Sequence, residues 1–96
     1  MRASEALRIH RADLRQLISG YNVAAPRVYG SALTGIDDEE SDLDLLVDAT
    51  ESTTLFTLTG LEHEAQQLTG VRVSVLTPGF LPLRFRDRVL ALAEPL

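Results

Sequence analysis

The stretch with chemistry in it is Gly30-Ser31-Ala32-Leu33-Thr34-Gly35, followed across an acidic segment by Ser41-Asp42-Leu43-Asp44. A glycine at the end of a strand lets backbone N–H groups approach an anion closely, and the Ser31 hydroxyl adds a donor beside them. Gly30 and Ser31 are therefore the candidate phosphate cradle. Two aspartates at i and i+2 on a strand project to the same side, about 6.6 Å apart at Cα, so both carboxylates can reach one hard cation. Asp42 and Asp44 are the candidate Mg²⁺ clamp. Set beside the cradle, such a clamp would bridge nucleotide phosphate oxygens and activate an incoming hydroxyl for in-line displacement. Singly, Gly-Ser also suits an ordinary turn and Asp-x-Asp a solvated strand end; the combination is what points to chemistry.

The elements that must position these residues follow from periodicity. Residues 4 to 19 carry Leu7, Leu14, Leu17 and Ile18 at helical spacing, with Arg8, Arg11, Asp13 and Arg15 between them and Gly20 as a stop. After Ala24-Ala25-Pro26, the run Arg27-Val28-Tyr29 predicts a short first strand ending at Gly30. In the second strand, Leu43-Asp44-Leu45-Leu46-Val47, alternation puts Leu43, Leu45 and Val47 on one face and Asp42, Asp44 and Leu46 on the other. From about Thr53 to Thr69, a helix with stripe Leu55, Leu58, Leu61 or Glu62, Ala65 and Leu68 ends at Gly70. Val71 to Leu76 alternates as a third strand closed by Pro78-Gly79, and a last helix over about Pro82 to Ala93 has the stripe Leu81, Phe85, Val89 and Leu92. The predicted order is α-β-β-α-β-α around one small three-strand sheet, class α+β or α/β.

Composition narrows the function classes. Ninety-six residues with 45% hydrophobic and 24% charged content suit one folded domain over 1–96, which excludes wholesale disorder and a separate substrate-recognition module. The longest uncharged runs, Gln16 to Pro26 and Val73 to Leu83, fall well short of the roughly 20 apolar residues a membrane span requires, and the N-terminus lacks the continuous apolar stretch of a secretory signal, so a cytoplasmic location is expected. Without cysteine, any metal must be held by oxygen or histidine. The net charge of −5 comes from a block, Asp37, Asp38, Glu39, Glu40, Asp42, Asp44 and Asp48; elsewhere seven acids face nine arginines. Such a block repels a nucleic-acid backbone, which leaves a cation site or a solvated loop.

The pattern of Gly-Ser, ten residues with a glycine inside, then Asp-x-Asp entering an apolar strand resembles the signature of the polymerase-β-type nucleotidyltransferase superfamily. The small size is similar to the minimal nucleotidyltransferase (MNT) family, whose members often act as antitoxins to HEPN-domain ribonuclease toxins. The resemblance runs from Tyr29-Gly30-Ser31 through Ser41 to Val47, the strand ending Val75-Leu76-Thr77-Pro78, and the closing Glu94-Pro95-Leu96. It implies adenylyl transfer from ATP with Mg²⁺, in antitoxin members onto a tyrosine of the toxin. It implies further that Gly30 and Ser31 hold the nucleotide phosphates, while Asp42 and Asp44 coordinate metal and carry catalysis.

Two departures stand out. The family usually has an arginine-containing stretch between the two glycines of the phosphate loop, where this chain has Ala32-Leu33-Thr34. The third strand usually offers a third carboxylate, and the matching position here is Ser74, a poor general base. A non-catalytic antitoxin of the same fold, inhibiting by binding alone, is therefore the alternative expectation, with nucleotidylation of a small hydroxyl compound a weaker third. Asp48 lies about 13 Å along the strand from Asp44, and the acids at 37–40 read as solvated surface.

The remaining candidates read as ordinary structure. His10 and His63 lack a ligand-spaced partner and are expected on solvent-facing helix positions; Arg84, Arg86 and Arg88 read as solubilising charge, and Tyr29 as core. The last helix has apolar residues on two faces, one for the fold and a second, with Leu83 and Leu90, for a protein partner or the first helix.

Overall fold

A computed structural model describes residues 1–96. The elements run α1 (Ala3–Ser19), β1 (Val23–Tyr29), α2 (Ser31–Thr34), β2 (Leu43–Ala49), α3 (Leu55–Thr69), β3 (Val73–Leu76), a 3₁₀ turn (Pro78–Phe80), α4 (Leu83–Leu92) and β4 (Glu94–Pro95). The strands form one mixed sheet in the order β3-β2-β1-β4, with β1 antiparallel to both β2 and β4, and β2 parallel to β3. This is a small α+β fold. It has one strand more than the sequence predicts, because a two-residue edge strand is too short to show a period.

The core lies between one face of the sheet and helices α1 and α3. Leu43, Leu45 and Val47 of β2 pack there with Leu7, Leu14 and Ile18 of α1 and Leu58, Leu61 and Ala65 of α3. Alternation along β2 thus sends its aspartates to the opposite face. Leu46 on that face is nonetheless fully buried, so the aspartate-bearing side is closed over beyond Asp44.

Local chemistry sets the element ends. Thr54 caps α3 by accepting a hydrogen bond from the Thr57 N–H at 3.2 Å, and Gly70 ends the helix in the left-handed conformation. The parallel partner β3 is an edge strand, and α3 covers its free side: the Val73 N–H donates to Gln66 Oε1 at 3.1 Å and the Val75 N–H to Glu62 Oε2 at 2.7 Å. Both otherwise unpaired N–H groups are satisfied and the edge is blocked to further strands.

Several details depart from the periodicity reading. β1 begins at Val23 rather than Arg27, because a bulge between Ala24 and Arg27, with Ala25 at φ 48°, absorbs Pro26 into the strand. β3 starts two residues later than expected, at Val73, and Leu55 at the head of α3 is exposed rather than part of the buried stripe. The largest difference is α4. No residue of this helix is buried; of its expected stripe only Leu81, which precedes the helix, is enclosed, while Phe85 and Leu92 are exposed. A helix of amphipathic sequence lies on the surface with neither face fully covered, Val89 and Leu90 being only half-buried. No helix is long and apolar enough to cross a membrane.

Candidate active site

Asp44 sits at the centre of a row across three strands, level with Tyr29 of β1 on one side and Ser74 of β3 on the other. Directly paired residues present their side chains to the same face, so the three share the side of the sheet away from the core. Immediately after Tyr29 the chain turns at Gly30, whose φ is 79°, and Ser31 opens α2. A Cβ built on Gly30 would lie 2.5 Å from Asp44 Oδ2. The carboxylate is seated against the bare backbone of the Gly30 bend, and only glycine supplies both that space and that φ.

Asp42 lies immediately before β2, one residue short of the strand on which it was expected, and is close enough to Asp44 to act on it. The Asp44 carboxyl is pushed up to about 6, first by burial and then by the charge of Asp42. The Tyr29 hydroxyl is pushed up to about 12, by burial and then by Asp44, so it stays protonated at neutral pH. Asp42 Oδ1 is buried and has no aligned hydrogen bond; its nearest charge is Arg72 Nε at 3.0 Å.

These residues meet the requirements of a hard divalent cation. Two crowded carboxylates carry surplus negative charge, one of their oxygens lacks a hydrogen bond, and the absence of a side chain on Gly30 is what lets the Asp44 carboxylate sit at the bend. Mg²⁺ characteristically takes one or two protein carboxylates and completes its shell with water and substrate phosphate, so a third protein ligand is not needed for binding. No third carboxylate joins the pair, and no group of three metal-ligating side chains occurs in the chain. Asp37 is buried elsewhere, its Oδ2 accepting from the Ser4 N–H at 2.7 Å, and Asp48 is held by Arg27 at 2.6 Å. Glu39 takes the N-terminal ammonium at 2.8 Å.

Beside the Gly30-Ser31 bend opens a cleft of about 460 Å³, walled by Tyr29, Leu33 and Ile36 on one side and Phe85, Arg88 and Val89 of α4 on the other. Two of these residues correct the sequence reading: Tyr29 is half-buried and lines the cleft rather than the core, and Arg88 faces it rather than only solvent. Phe85, Val89 and Arg72 were equally hidden, because their roles depend on where α4 crosses the sheet and on the β2–β3 register. A larger, polar groove of about 560 Å³ between α1 and α3, lined by Asp13, His63 and Glu64 among others, includes none of the motif residues. His10 stands 3.8 Å from Asp13 nearby, and neither histidine approaches the aspartate pair's ligand set.

Known proteins share this chain's family and fold. Residues 7–92 match the nucleotidyltransferase domain family. Two Methanocaldococcus jannaschii proteins, named putative protein adenylyltransferase MJ0435 and MJ1217, are similar at 31% identity over 73% of this chain and 75% of theirs, and at 33% over 76% and 71%. A solved structure named as a putative minimal nucleotidyltransferase superimposes with a TM-score of 0.84 at 38% identity, covering 97% of this chain and 95% of that one. A toxin–antitoxin structure with AMP-PNP shares the fold at a TM-score of 0.74 and 14% identity, over 88% of this chain and 69% of that one. An MntA–HpeT toxin–antitoxin structure does so at 0.73 and 15%, over 90% and 70%. With its motif, its sheet and its relatives in agreement, this chain belongs to the nucleotidyltransferase domain family.

Proposed function

We propose that this protein is an MNT-type antitoxin, a single cytoplasmic domain that transfers AMP from ATP to a tyrosine of a HEPN-type ribonuclease toxin and so neutralises it. The observation that carries the reading is the seating of Asp44, with Asp42 beside it, against the Gly30-Ser31 bend. Adenylyltransferase relatives and the toxin–antitoxin folds support the reaction class and the partner class.

In this scheme the Gly30-Ser31 backbone and hydroxyl bind the phosphate tail, and Asp42 and Asp44 hold Mg²⁺. When bound, the ion would neutralise phosphate charge and lower the pKa of the acceptor hydroxyl. The acceptor's phenolic oxygen attacks the α-phosphorus, its bond to pyrophosphate breaks, and the phenolic proton passes to solvent or base. The exposed amphipathic helix α4, at the cleft's rim, offers a folded partner a surface beside the reacting atoms. The acidic block disfavours nucleic acid as that partner.

A second reading, inhibition by binding alone, is favoured by one observation: Ser74 stands level with Asp44 where a third carboxylate would serve as base. Incubation with radiolabelled ATP, Mg²⁺ and a HEPN-type toxin separates the two. Transfer of label to the toxin, abolished by Asp44→Asn, supports catalysis. Absence of label, with Asp42→Asn and Asp44→Asn proteins still neutralising the toxin, supports binding alone.

A further inference from the structure

Parallel pairing of β2 with β3 sets the strand entrances side by side: Leu43 is level with Val73, and the Leu43 N–H donates to the Arg72 carbonyl at 2.8 Å. The backbone of Arg72 is thereby fixed beside the residue that precedes Leu43, which is Asp42. Its guanidinium does two things there. One terminal nitrogen donates to the Glu40 carbonyl, in the acidic loop, and Nε lies 3.0 Å from Asp42 Oδ1.

The quality of that second contact is informative. Although close, Nε–H is not aligned for a hydrogen bond, and Asp42 Oδ1 remains without one. The contact is therefore charge against charge, without the directionality that makes arginine–carboxylate pairs strong. The Arg72 side chain is 66% exposed, so its guanidinium can swing into water when another cation takes its place at Asp42. Arg27, another cation on the sheet, is already engaged with Asp48.

We propose that Arg72 is a positioning residue that stands in for a cation at Asp42: it holds that carboxylate in place while no divalent ion is bound, and it competes with the ion for it. The inference rests on the reading that Asp42 and Asp44 take a divalent cation. Arg72 then sets a threshold, so that the ion must displace a guanidinium before both carboxylates can close on it.

The test is a calorimetric titration of the full chain with Mn²⁺ alone, without nucleotide or toxin. Arg72→Gln should bind Mn²⁺ more tightly than wild type by roughly two- to fivefold, the range for an exposed ion pair. Arg72→Met, which keeps the aliphatic stem, should do the same, and thermal melting checks that each variant is folded. In an Asp42→Asn background the Arg72→Gln effect should vanish. Unchanged or weaker Mn²⁺ binding in folded Arg72→Gln and Arg72→Met overturns the role of Arg72. If Mn²⁺ binding is absent from wild type, or survives Asp44→Asn unchanged, the cation-site reading itself falls, and Arg72 with it.

Discussion

The Asp44 carboxylate occupies the space that a side chain on Gly30 would fill, with Oδ2 2.5 Å from where a Cβ would stand. The Gly30 bend and the acidic strand are thus one interlocked unit. Gly30→Ala must move the carboxylate or the bend, and it also places alanine at φ 79°. That backbone, φ 79° with ψ −158°, lies in a region essentially confined to glycine and alone costs roughly 1–3 kcal/mol. We expect a lower melting temperature together with loss of Mn²⁺ and nucleotide binding, read by thermal melting and calorimetry. A Gly30→Ala protein that binds like wild type would contradict the interlock.

Asp44 should make stability depend on pH in a particular sense. Its carboxyl is raised from 3.8 to about 6 in the fold, so the native state holds the proton more tightly than the unfolded chain. The stability this contributes is full below the ordinary value of 3.8 and is lost as pH rises through about 6. Asp44→Asn should therefore flatten the stability profile between pH 4 and 6 and melt above wild type at pH 7, by less than the full shift because solvent screens the half-buried carboxylate. Millimolar Mn²⁺ should raise the melting temperature of wild type and leave Asp44→Asn unmoved.

Asp37 behaves in the opposite way. The Ser4 N–H in the first turn of α1 donates to its carboxylate and holds it below its ordinary 3.8, an anion at a helix N-terminus. Its stabilisation is present above that value and is lost as pH falls through the still lower folded value. Asp37→Asn should melt below wild type at pH 7, and the gap should shrink as the pH drops toward 3. Equal melting temperatures at pH 7 would count against this tie between the acidic loop and α1.

Ser74→Asp should restore a third carboxylate level with Asp44. On the proposed reading, we expect tighter Mn²⁺ binding and faster labelling of a HEPN-type toxin, measured side by side with wild type. If labelling is unchanged while Mn²⁺ binding tightens, the base role assigned to that position is wrong.

The extent to which these features are legible in the sequence follows from the range of the interactions involved. Helices α1 and α3 and strand β2 were readable because a single buried face imposes a period on their own residues, as Leu43, Leu45 and Val47 illustrate. The pair Asp42 and Asp44 and the Gly30-Ser31 bend were readable as a motif. β1 was read too short because Pro26 signals a break, and only a bulge against β2 lets the strand continue through it. β4 exists solely through pairing of Glu94 and Pro95 with β1. Phe85 and Val89 had the spacing of a core stripe, yet spacing does not say what covers a face. Arg72 beside Asp42 depends on parallel register across thirty residues of chain, which no local pattern encodes.

The central claim is that residues 42 and 44 and the Gly30-Ser31 bend form one binding site for a cation and its nucleotide. The most direct measurement is a ¹⁵N-resolved NMR titration of the protein with Mg²⁺ and a non-hydrolysable ATP analogue. The account expects the largest shifts at the amides of Gly30, Ser31 and Asp44, and their disappearance in Asp44→Asn. Shifts confined to the α1–α3 groove around His63, or none at saturating ligand, would contradict it.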